Sequence, residues 1–146
     1  MQVDFYQLSR DPVTQVLPQI ARRVADSGQR LLIVAADPGL RADISEGLWS
    51  AIPDSFLAHG DADDEDAPAQ PILLSDSCDP LNGAAFIALA DGLWRDEALG
   101  FTRAFLFFDG ESIDGARASW RTLGQREDAD CRYWAQSDGG KWKQMA

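Results

Sequence analysis

The chain has 146 residues, of which 45% are hydrophobic, and a formal net charge of −11 at pH 7. This length and apolar content fit one globular domain over residues 1–146 with a single core. The charge argues against tight direct binding of nucleic acid, because phosphate backbones attract clustered Lys and Arg. No apolar run reaches the roughly 20 residues that span a bilayer, and the N-terminus lacks a signal peptide. We therefore expect a cytoplasmic protein that binds no membrane.

The negative charge is unevenly distributed along the chain. Residues 1–101 hold 17 acidic and 6 basic side chains, whereas residues 102–146 hold 7 of each. The C-terminal third can therefore present a local basic pocket to an acidic partner. Residues 60–70 contain five acids and no large apolar residue, which predicts a solvated, mobile loop. These acids lack the ligand spacing and the glycine of a calcium-binding loop.

Apolar periodicity and turn residues predict alternating strands and helices in chain order. Asp11 and Pro12 begin the first helix, which Gly28 ends. The predicted strands are 3–8, 30–35, 56–59, 71–74, 84–89, 101–108 and 130–135. The predicted helices are 12–27, 39–51 and 112–124. Such alternation is typical of an α/β protein, here a single Rossmann-like domain with a mostly parallel central sheet and helices on both faces.

The residues that nucleotide binding requires are absent from the first strand-to-helix turn. Residues 9–12 contain no glycine, so the backbone cannot approach a pyrophosphate closely, and Asp11 would repel one. Asp37 follows the second strand, where a ribose-binding acid can lie, but without a glycine-rich turn it is better interpreted as a helix cap. We expect no cofactor.

Catalytic and metal chemistry has few candidate residues. His59 is the only histidine in the chain, and we interpret it as a structural or surface residue. Cys78 and Cys131 are far apart in sequence and are expected to be separate reduced thiols. No metal site is predicted, because zinc needs about four Cys or His ligands. One function that the predicted fold leaves open, as the alternative to a binding role, is that of a small nucleotide- or nucleic-acid-processing α/β enzyme.

Several short motifs recur in an order that resembles the chi subunit of bacterial DNA polymerase III. The resemblance covers nearly the whole chain, and its motifs are specific in combination. They are Phe5-Tyr6-Gln7-Leu8, Leu31-Leu32-Ile33, Leu48-Trp49 with Pro53, Ser55-Phe56 and His59-Gly60, Pro71-Ile72-Leu73-Leu74, Arg117 with Trp120 and Arg121, and Tyr133-Trp134 with Gln136, Gly140 and Trp142. The sequence departs from the family at Ala58, where proline is frequent, and at Ile113, where a basic residue can occur.

The resemblance implies a non-catalytic accessory subunit with a Rossmann-like fold. Chi subunits pair with the psi subunit of the clamp loader. They also bind the acidic, Phe-terminated tail of single-stranded DNA-binding protein. A further alternative is a structural partner that binds only psi and has lost tail binding.

An acidic tail with a terminal aromatic ring needs an apolar slot and guanidinium groups. Arg117 and Arg121 are four residues apart and share one helical face, with Trp120 between them. We predict that these arginines bind the carboxylates, and that Trp120, Trp49 and Phe56 line the slot. The alternative interpretation is that the three aromatic residues belong to the core and that the arginines are ordinary surface charges.

Overall fold

The computed structural model describes residues 1–52 and 57–146. The described residues form one eight-stranded sheet in the order β3-β4-β2-β5-β6-β1-β7-β8. Neighbouring strands are parallel except for β7 and β8, which are antiparallel. The strands are β1 Gln2–Gln7, β2 Leu31–Val34, β3 Gly60–Asp61, β4 Ile72–Ser75, β5 Phe86–Leu89, β6 Arg103–Phe108, β7 Asp130–Gln136 and β8 Trp142–Gln144.

Three α-helices of the described chain cover the two faces of this sheet: α1 Val13–Asp26, α2 Pro38–Ser50 and α3 Ile113–Gly124. Leu31 and Ile33 of β2 pack in the same cluster as buried residues of α1 and α2. Leu32 and Val34, which point to the other face, pack in the cluster that contains buried residues of α3. The predicted α/β class, mostly parallel sheet and two-sided helix cover are therefore confirmed.

Two helix boundaries test the predicted capping residues. The Asp37 carboxylate accepts a hydrogen bond from the Gly39 backbone N–H at 3.1 Å, which confirms its role as the cap of α2. Asp11 does not cap α1, because Pro12 occupies the N-cap position. The Asp11 carboxylate instead accepts a hydrogen bond of 2.7 Å from the Gln136 side chain on β7.

Close contact between α1 and α2 depends on a glycine. A Cβ atom at Gly47 would collide with the Thr14 backbone carbonyl of α1. Since Gly47 is buried in the middle of α2, the absence of a side chain allows the two helices to pack closely on one face of the sheet.

The segment between α2 and β4 differs from prediction at both of its ends. Residues 57–59 are not a strand; the strand pairing is at residues 60–61, opposite Leu73 and Leu74. The predicted solvated loop also contains regular structure, since residues 67–69 form a 3-10 helix and Ala67 is buried. Residues 63–66, which carry four of the acids, are exposed as expected. Predicted strand residue Phe56 lies outside the described residues.

The C-terminal strand β8 was not predicted. It pairs with the end of β7 through the register Gln136–Trp142, Ala135–Lys143 and Trp134–Gln144. The Trp142 ring packs edge-on against Tyr6, with 5.2 Å between the ring centroids. This contact fastens a short edge strand that contains only three residues to the aromatic part of the core.

Candidate partner-binding surfaces

Helix α3 presents the predicted arginine pair and tryptophan beside β7. Ala116 and Leu123 are buried against the sheet, whereas Arg117 and Arg121 are exposed on the flank of the helix. Trp120 is half-buried, and its ring makes edge contacts with Phe5 at 5.2 Å and Tyr133 at 5.8 Å. The structure therefore brings three of the five predicted residues together, and Trp120 also packs against the core.

Tyr133 of β7 forms the other wall of this surface, and it was not among the residues predicted for the slot. It is half-buried, and its hydroxyl donates a hydrogen bond to the Gln7 side chain. Partial burial raises the pKa of the Tyr133 phenol, and the positive charge of Arg117 opposes that rise. The ring is thus within electrostatic range of Arg117 and edge-on to Trp120. Alternation along β7 could have identified it, because Tyr133 and Cys131 share the face that α3 covers.

The cations on this surface differ from the other cations of the protein. Within residues 1–52 and 57–146, five of them form neither an ion pair nor a side-chain hydrogen bond: Arg23, Arg117, Arg121, Lys141 and Lys143. Four of these five lie on α3 or in the β7–β8 hairpin. An acidic protein with unpaired cations gathered in one region has a surface suited to an acidic partner.

Trp49 lies on a different surface. It is 47% exposed at the C-terminal end of α2, and its ring centroid is 4.3 Å from that of His59. Both border a hollow of about 350 Å³ that also includes Arg41 and Asp64. Since α2 and α3 cover opposite faces of the sheet, Trp49 does not join Trp120 in one slot. Phe56, also predicted for that slot, lies outside the described residues.

His59 is held by two hydrogen bonds. Its Nε2 atom lies 2.8 Å from the Ser45 hydroxyl, and its Nδ1 atom lies 2.8 Å from the Leu57 carbonyl oxygen. An Nδ1–H donor to Leu57 leaves Nε2 to accept from Ser45, which resembles a nucleophile and its base. The group that orients this ring is a backbone carbonyl, however, where catalytic histidines of this type have a carboxylate.

A cleft of about 470 Å³ lies at the carboxyl ends of the central strands, where open α/β sheets bind ligands. Its lining includes Asp11, Asp91 and Asp109. Asp91 forms two hydrogen bonds of 2.9 Å with Arg95. Burial by itself raises the Asp91 pKa, but the bonds from Arg95 and from the Ala36 N–H outweigh it and lower that pKa below its ordinary value. The charged residues of the lining are these three carboxylates and Arg10, and the excess of negative charge disfavours phosphate.

Among the residues that the structure describes, no group of three or more His, Cys, Asp or Glu is placed to hold a metal ion. No helix in these same segments is both long and apolar enough to cross a bilayer.

A known protein family matches most of the chain. The sequence model of a family described as DNA polymerase III chi subunit, HolC, matches residues 1–129. No curated protein sequence matches the chain significantly. The matched segment includes α3 with its arginines and ends just before β7.

Proposed function

This chain belongs to the DNA polymerase III chi subunit family, and we propose that it links the clamp loader to single-stranded DNA coated with its binding protein. In this role it binds psi on one side and the acidic C-terminal tail of single-stranded DNA-binding protein on the other. The family accounts for a role in DNA replication. The two partners are the finer part of the proposal, and the surfaces described above support it.

The observation that carries tail binding is the unpaired arginine pair of α3 beside an aromatic wall. Arg117 and Arg121 are exposed and form no ion pair among the described residues. Trp120 and Tyr133 stand beside them with ring centroids 5.8 Å apart. A terminal aromatic ring can pack on these two side chains while the arginines bind the carboxylates. In this proposal Tyr133 takes the place in the pocket that the sequence assigned to Trp49.

Trp49 supports a second, separate surface. Its ring is about half exposed, and it lies on the opposite face of the sheet from the α3 arginines. Exposed tryptophans are frequent anchors of protein interfaces. We assign this surface to psi, so that one subunit can bind both partners at once without overlap.

The protein performs no catalysis in this proposal. The Ser45–His59 pair fixes the imidazole against Trp49, and its backbone orienting group lacks the charge that stabilises an imidazolium. The acidic cleft at the strand ends disfavours nucleotides. Neither of these two sites supports the alternative that the protein is an enzyme. Stabilisation by nucleotides in a thermal shift experiment would favour that alternative.

The test of the tail pocket is titration with a peptide that carries the acidic, Phe-terminated tail. We expect Arg117→Ala and Arg121→Ala each to weaken binding by about ten-fold or more, because a charge-assisted hydrogen bond contributes roughly 1.5–3 kcal/mol. Arg23→Ala is the matched control, since Arg23 is an exposed, unpaired arginine of α1. If both α3 variants bind as the parent does, the pocket is elsewhere.

Direct DNA binding provides an independent test. With a net charge of −11, the isolated protein should bind a bare single-stranded oligonucleotide poorly at near-physiological salt. Tight binding by a preparation free of other proteins would contradict the proposal that contact with coated DNA is made through protein.

A further inference from the structure

The C-terminal hairpin places two side chains beside the α3 surface. In the β7–β8 register, Lys143 is opposite Ala135, and the Met145 N–H donates a hydrogen bond of 2.7 Å to the Tyr133 carbonyl. Directly opposed residues of an antiparallel pair have their side chains on the same face of the sheet. Lys143 and Met145 therefore lie on the face of Tyr133, which is the face that α3 covers.

The hairpin is held in this orientation from its other face. Trp142 and Gln144 alternate with Lys143 and point away from α3. Trp142 packs edge-on against Tyr6 at 5.2 Å and is part of the first core cluster. This anchor fixes which residues of β8 remain available on the α3 side.

Both side chains on the α3 side are accessible. Met145 is 58% exposed, which makes it one of the large apolar residues that the fold leaves in solvent. Lys143 is exposed and has no carboxylate within ion-pair distance in the described segments. Met145 places an apolar side chain beside Tyr133, and Lys143 places a cation two residues along the strand. This repeats the combination of Trp120 and Arg117 on the helix.

We propose that the hairpin extends the tail pocket, with Met145 widening the slot for the terminal ring and Lys143 binding an acid upstream of it. This inference rests on the proposed function and commits to the same acidic tail. Alternate residues of a strand are about 6.6 Å apart. An extended peptide lying along β8 repeats that spacing. When its terminal aromatic residue lies nearest Met145, an acidic residue two positions upstream comes opposite Lys143.

The family model ends at residue 129 and β8 begins at Trp142, so the assignment of Lys143 and Met145 rests on the geometry of the hairpin. Charge complementarity selects the occupant. On the α3 side of the sheet, Lys143 adds a third cation to Arg117 and Arg121, and none of the three forms an ion pair among the described residues of this protein of net charge −11. An acidic peptide is attracted to these cations, whereas a basic or neutral one gains nothing from them.

The experiment compares Lys143→Ala and Met145→Ala with matched controls on the other face of the same hairpin, Arg132→Ala and Gln144→Ala. Two peptides are titrated: the acidic Phe-terminated tail, and the same peptide with its upstream acids replaced by their amides. We expect Lys143→Ala to weaken binding of the acidic peptide by about three- to five-fold, as for loss of an exposed ion pair, and to leave binding of the amide peptide unchanged. Met145→Ala should weaken binding of both peptides. The two control variants should bind both peptides as the parent does.

The outcomes separate this inference from the function on which it rests. If Arg117→Ala weakens tail binding and Lys143→Ala does not, the hairpin is no part of the pocket and the proposed function stands. If the parent protein binds neither peptide, both proposals are overturned. Melting temperatures of all four variants, and an Lys143→Arg variant that keeps the charge and should retain binding, separate lost contacts from lost folding.

Discussion

The two edges of the sheet carry opposite charge. At the β3 edge, residues 63–66 expose four carboxylates in a row. At the β8 edge, the cations Lys141 and Lys143 are exposed, and α3 adds Arg117 and Arg121 nearby. Because β3 and β8 are the first and last strands of the sheet order, these groups are at opposite ends of the molecule. The net charge hides this separation, and only one end offers a favourable field to an acidic peptide.

A buried polar group supports each end. At the β3 end, the Asn82 amide donates to the carbonyls of Leu31 and Gln70, at 3.3 and 3.0 Å. Near the β8 end, the fully buried Asp4 carboxylate accepts from Arg103 at 2.8 Å and from the Trp134 indole at 3.0 Å. A neutral amide thus connects chain segments near the acidic end, whereas a carboxylate connects β1, β6 and β7 near the basic end.

The largest expected effect comes from reversing charge at the basic end. Arg117→Glu combined with Arg121→Glu should weaken tail binding by about 1000-fold, since two charge-assisted bonds and added repulsion amount to about 4 kcal/mol. Peptide titration measures it. The same double reversal at Arg22 and Arg23 of α1 alters net charge equally and should change binding by far less. Equal losses in the two double variants would show that net charge, and not the α3 surface, governs binding.

Removal of the buried carboxylate tests the support of the basic end. Asp4→Ala should lower the free energy of unfolding by about 3 kcal/mol, because it leaves the Arg103 guanidinium and the Trp134 indole without their acceptor. Urea denaturation measures the change. Asn82→Ala provides the comparison at the acidic end, where the lost hydrogen bonds are neutral and the expected cost is smaller, about 1–3 kcal/mol. A greater loss of unfolding free energy for Asn82→Ala than for Asp4→Ala would contradict this expectation.

Between the two ends, the Asp91–Arg95 pair gives a pH-dependent prediction. Asp91→Asn should lower the free energy of unfolding by about 2 kcal/mol near pH 7, through weaker bonds to Arg95. The pKa of Asp91 in the folded protein is below its ordinary value of 3.8. The stability that the carboxylate contributes is therefore present above that value and is lost as pH falls through the folded pKa. The difference between the two proteins should therefore shrink in denaturant titrations as pH falls below 3.8 and through the folded pKa of Asp91, and a pH-independent difference would contradict this.

The smallest effect is expected at the acidic loop itself. Asp63→Asn with Glu65→Gln should change the free energy of unfolding by less than about 0.5 kcal/mol, because both side chains are exposed. Tail binding should change by less than about two-fold, since charges farther apart than a Debye length are screened at physiological salt. A strong increase in tail affinity would show that the acidic end acts on the distant pocket.

The sequence alone predicted those features that local chemistry determines. Apolar periodicity located the three helices to within two residues, because each helix must bury one face. Asp37 was identified as a helix cap, and not as a ribose-binding acid, because the chain has no glycine-rich turn. The i, i+4 spacing of Arg117 and Arg121 placed both on one flank of α3, which is a property of helix geometry. The α/β class followed from the alternation of strand and helix patterns.

Tertiary structure decided which residues meet across the sheet. The sequence grouped Trp49 with Trp120, but α2 and α3 cover opposite faces, and no local pattern states which face a crossover helix takes. The sequence also missed that Tyr133 packs edge-on against Trp120, and it missed β8 as a strand. A three-residue strand has too little periodicity to recognise, and it is stable only because β7 supplies its hydrogen bonds and Tyr6 supplies a surface for Trp142. Both conditions arise from contacts between residues far apart in the chain.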